Sequence, residues 1–138
     1  MSAPPLTRLL SLESLDLSRN QLTCLRSLPT NLITLDLSHN MIAELPTELG
    51  TLVKLVELNL SFNQLTCLPS AMSNLTNLMS LDLSHNLLRS EGIGAALEGI
   101  TGLEKLNLDH NPLEESDLPP RTAFLVERVR DPFPIFIQ

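Results

Sequence analysis

The 138-residue chain has no tryptophan, no tyrosine and only four phenylalanines. Aromatic binding platforms are therefore nearly absent, and the core is expected to be aliphatic, carried mostly by leucine. Cations are scarce too. Lys+Arg 9 against Asp+Glu 16 leaves a net charge of -7, which argues against a general affinity for nucleic acid or an anionic membrane and favours a neutral or basic protein partner. No apolar run approaches the roughly 18 residues needed to cross a bilayer, so no membrane span is expected. The opening residues lack a basic leader followed by a long apolar stretch, so no secretory signal is expected. Only Arg8 and the absence of acids before Glu13 hint at an organellar presequence, and Pro4 and Pro5 interrupt the helix it would need. The expected location is cytoplasmic, with the cytoskeleton or cilium, or an organelle, as alternatives. Cysteine is limited to Cys24 and Cys67, in the same column two repeats apart. At about 4.8 Å per strand their Cα atoms stand roughly 10 Å apart, too far for a disulfide, so free thiols are expected.

What the chain has is one phrase written five times: Leu-x-x-Leu-x-Leu-x-x-Asn-x-apolar, beginning at Leu12, Leu32, Leu55, Leu78 and Leu103. The asparagines fall at Asn20, Asn40, Asn63, Asn86 and Asn111, in steps of 20, 23, 23 and 25 residues. Each Leu-x-Leu reads as a strand of about three residues with alternate leucines inward, and the copies stack in parallel. The asparagines take a structural role, pairing backbone groups of neighbouring turns that would otherwise be buried unpaired. Leu45-Pro46 and Leu68-Pro69 open returns with apolar residues at helical spacing, so short helical turns are expected there. The first return is three residues shorter and suits an extended or 3₁₀ path. Ser90 to Ile100 is the longest and the richest in helix formers, which favours an α-helix.

This wording resembles the leucine-rich repeats of intracellular proteins from about Leu6 to Leu113. The 23-residue Leu-Pro repeats are similar to those of Ras-suppressor-type proteins, the 20-residue step to bacterial effectors, and the 25-residue step leans toward the ribonuclease-inhibitor subtype. The resemblance implies an α/β fold: a right-handed solenoid, horseshoe-shaped, with five to six short parallel strands on the concave face and mostly 3₁₀ or short helical returns on the convex side. It also implies that the concave face binds protein. The solenoid is expected over 1-113, with a partial N-terminal coil at 1-11, and a C-terminal cap or tail over 114-138.

Aligned copies give columns on the concave face. The fifth position holds Asp16, Asp36, Asn59, Asp82 and Asn107; the seventh holds Ser18, Ser38, Ser61, Ser84 and Asp109, and both read as polar ladders. The eighth holds Arg19, His39, Phe62, His85 and His110. All three histidines share that column, but Phe62 separates His39 from His85 and no cysteine joins them, so they read as surface residues and not as metal ligands. The second position places Ile33, Val56 and Met79 between Glu13 and Glu104. With Phe62 they form the centre of a candidate partner-binding face, unless the adjoining loop covers them. His39, His85, Asp36 and Asp82 complete that candidate set. In the tail, Pro132 to Ile137 either caps the last coil or lies extended along a partner, which adds Phe133, Ile135 and Phe136.

Catalytic chemistry is not expected, nor is a cofactor. Gly94 to Thr101 imitates a phosphate loop, but Ile100 stands where lysine is required. Ser38-His39 and Ser84-His85 lack an orienting acid. The expected function is non-catalytic protein interaction, as a small structural subunit of a larger ciliary, ribosomal or organellar assembly. The alternative is a reversible regulator in a phosphatase or small-GTPase pathway.

Overall fold

The structure, a computed structural model, describes residues 10–114. The expected terminal cap residues, including Phe133, Ile135 and Phe136, lie outside these. Five three-residue strands, β1 (Ser14–Asp16), β2 (Thr34–Asp36), β3 (Glu57–Asn59), β4 (Ser80–Asp82) and β5 (Lys105–Asn107), form one sheet in chain order. Every pairing is parallel, and the central leucines Leu15, Leu35, Leu58, Leu81 and Leu106 stand in register. The alternation of each triad turns these leucines inward and the residues on either side of them outward.

Behind the sheet lies a continuous leucine core. Leu32, Leu37, Leu55, Leu60, Leu65, Leu78, Leu83 and Leu88 have no accessible surface. Burying a leucine so completely contributes about 1.5–3 kcal/mol, and the repeat does this several times per coil. The first coil differs. Leu12, Leu15 and Leu17 are only partly buried, and Leu10 is exposed.

The returns follow their lengths. The shortest has no helix among its residues, whereas the Leu-Pro returns form 3₁₀ turns at Thr47–Thr51 and Ser70–Asn74, entered through extended Pro46 and Pro69. The longest has a 3₁₀ turn at Ser90–Gly92 and the helix α1 (Gly94–Gly99). The imitation phosphate loop is therefore a helix, and Gly99 packs so closely on Ser73 that a methyl group there would collide with it. Gly50 abuts the Ala71 carbonyl in the same way, which lets the two proline-led turns stack.

Candidate sheet-face interaction site

The asparagines fix how one coil sits on the next. Asn63 Nδ2 donates to the Leu37 carbonyl of the preceding coil at 2.9 Å and to Leu60 of its own coil at 3.1 Å, while its Oδ1 accepts the Ile42 amide at 3.0 Å. Asn40, Asn86 and Asn111 repeat this pattern through Leu17 and Leu22, Leu60 and Leu65, and Leu83 and Leu88. Asn20 is exposed and, among the described residues, donates to Leu17 and Ser18 of its own coil.

At the fifth position a side-chain oxygen accepts the backbone amide two residues on. The distances run from 2.8 Å for Asp16 and 2.9 Å for Asp36 and Asp82 to 3.0 Å for Asn59 and Asn107. Such turns are what short Asx side chains favour. They pull the seventh position under the strand ends, so Ser38, Ser61 and Ser84 are buried instead of forming the expected outward ladder. Ser61 and Ser84 donate their hydroxyls to the fifth-position oxygen at 2.7 Å. The hydroxyl and amide of Ser18 hold the Asp16 carboxyl below its ordinary range.

The eighth position adopts a left-handed backbone in all five coils, with φ of 54 to 56 at Arg19, His39, Phe62, His85 and His110. Non-glycine residues seldom do this, and here each of the first four amides donates to the seventh-position carbonyl of the following coil, at 2.8 to 3.0 Å. The side chains stack as a result. Ring centroids lie 4.2 Å apart for His39 and Phe62, 4.0 Å for Phe62 and His85, and 4.1 Å for His85 and His110, with planes within 18° of parallel. No three of the described His, Cys, Asp and Glu residues are grouped to hold a metal ion.

Along each strand the face thus runs from the second position to the eighth. Ile33 and Val56 are half-buried and Met79 is exposed; the carbonyl of each accepts two amides of the next coil, which holds the backbone at the strand entrance. Phe62, 42% exposed, stands at the opposite strand end in the ring column. Asp36 and Asp82 lie between these rows, in a hollow of about 430 Å³ across β1 to β4. The third-position column, Ser14, Thr34, Glu57, Ser80 and Lys105, belongs to this face as fully as the fifth. Sequence reasoning passed it over, although alternation around the central leucine identifies it. A second hollow, about 450 Å³ between Leu25, Leu28, Pro46 and Leu49, opens on the return side where the short first link meets the longer second one.

Asp109 is the exception in the serine column. Its Oδ1 is buried without a hydrogen-bond partner among the described residues. Burial raises its carboxyl; His110 and His85 oppose that rise, and Asp82 adds to it.

Leucine-rich repeat models match the chain in three overlapping segments: a leucine-rich repeat model over 11–30, a two-copy model over 30–77 and a further leucine-rich repeat model over 67–113. The chain is a leucine-rich repeat protein. Among solved structures it is similar to a leucine-rich repeat protein of Leptospira interrogans, with 34% identity and a TM-score of 0.75, over 88% of this chain and 30% of that one. It is also similar to a chain in the Toll–Spätzle complex of Drosophila, with 34% identity and a TM-score of 0.66, over 88% of this chain and 17% of that one. The protein therefore spans under a third of the length of either relative. No curated protein matches it. Leucine-rich repeat domains generally mediate protein–protein interaction and are typically non-catalytic.

Proposed function

We propose that this leucine-rich repeat protein is a non-catalytic structural subunit, docked on a larger protein assembly through its sheet face. The observation that carries the reading is apolar surface left accessible on that face, with Met79 41% and Phe62 42% exposed beside half-buried Ile33 and Val56. Exposed apolar rows rimmed by polar groups mark protein contact sites. A chain of similar architecture occurs in the Toll–Spätzle complex, which supports protein binding as the general mode. Two free thiols, Cys24 and Cys67, suit a reducing compartment such as the cytoplasm.

The experiment is native purification from the source, with mass spectrometry of co-eluting chains, for the natural protein and a V56E/M79E variant. The expected result is a stable set of partners that the variant loses while its melting temperature is kept. Unchanged partners with unchanged melting would contradict the reading.

A further inference from the structure

The sheet face carries charge that its own turns do not require. Asn59 and Asn107 make the same fifth-position turn as Asp16, Asp36 and Asp82, at distances within 0.2 Å of theirs. The turn needs an acceptor oxygen, and a neutral amide supplies one. Asp16 and Asp36 nevertheless stand in register on adjacent strands, where like charges destabilise a sheet. Glu57 adds an exposed carboxylate at the third position of β3, between them and Asp82. Four carboxylates on four consecutive strands line one hollow, and no cationic side chain is among its described lining residues. Lys105, on β5, is the only cation at a third or fifth position of the five strands.

We propose that this trough seats a basic segment of a protein partner, whose lysine or arginine side chains reach Asp16, Asp36, Glu57 and Asp82. The inference rests on the sheet face being the protein-binding surface and adds the chemistry of what it binds. Neighbouring strands are about 4.8 Å apart, close to the roughly 5–6 Å between side chains three or four residues apart on a helix, so basic residues at that interval meet successive coils. The aliphatic stems of such residues rest against the second-position row and the Phe62 column on either side. A polypeptide fits better than a metal ion because the described acids do not converge on one point.

The test is fluorescence anisotropy on the full chain with three labelled helix-forming peptides, alike except for Lys, Gln or Glu at every third and fourth position. Three proteins are compared: the natural chain, a sheet-face variant D36N/E57Q/D82N, and a variant neutralised on the connecting links, E44Q/E48Q/E91Q, with the same change of charge. The lysine peptide should bind the natural chain, more weakly as salt rises, and about tenfold more weakly to the sheet-face variant, with the link variant within about twofold of the natural chain. Equal losses in both variants would reduce the effect to net charge and overturn the proposal. Absence of lysine-peptide binding, or equally tight glutamine-peptide binding, would also overturn it; the sheet face as a protein-binding surface would then stand or fall on the V56E/M79E purification. Should the triple variant not melt like the natural chain, E57Q alone carries the comparison, with about a threefold loss expected and no loss contradicting the proposal.

Discussion

Asn63 and Asn20 occupy the same place in their repeats and do different work. Asn63 ties two coils together by both ends of its amide, whereas the donors of Asn20, among the described residues, reach only carbonyls of its own coil. Replacing Asn63 by Leu leaves buried backbone groups of two coils unpaired and should cost about 1–3 kcal/mol. The same change at exposed Asn20 should cost about 0.5 kcal/mol or less, since water replaces the lost bonds. Urea unfolding of both variants checks the contrast, and equal costs would contradict it. Asp109 gives a prediction of opposite sign. Its carboxyl titrates above the ordinary 3.8 when folded, because burial disfavours the charge. The folded state then binds more protons than the unfolded state between 3.8 and the folded value, so the penalty is absent below this window and complete above it. D109S should therefore stabilise the protein at pH 7, and by much less near pH 3.5. Melts at the two pH values decide this; a gain independent of pH would mean that the charge is not the cause.

Among elements, the strands and their order were legible in the sequence because the spacing of Leu12, Leu15 and Leu17 in each copy admits only a short strand with a fixed inner side. The helical returns were legible from Pro46, Pro69 and the alanines before Leu97. The turn after each strand was not. Its left-handed backbone falls on Arg, His and Phe, and no glycine announces it, so the stacking of rings along this surface column is not apparent from the sequence. Burial of Ser38, Ser61 and Ser84 was missed for the same reason, since simple alternation carries them outward. Close packing between returns was equally hidden, because it depends on the distance between two turns 23 residues apart. Gly50→Ala tests that packing: the new methyl group meets the Ala71 carbonyl, and overpacking of this kind costs about 1–3 kcal/mol. Calorimetric melts of the variant should show the loss, and an unchanged melt would mean that the turns can separate freely.

As a whole, the molecule is a stack in which each coil is held by its neighbours, so its stability lies in the core and its distinctive chemistry on the strand side. The candidate face was partly legible. Columns two, five and eight came from aligning the repeats, while the acidic trough became visible only when the third position joined them and the seventh was withdrawn beneath. The most direct measurement places a photo-crosslinking amino acid at position 57, on the sheet face, or at position 48, on the return side, in the protein expressed in its source cells. The account predicts discrete higher-mass adducts from position 57, with protein partners identified by mass spectrometry, and few from position 48. Adducts confined to position 48 would contradict it, since the working surface would then lie on the opposite side of the solenoid.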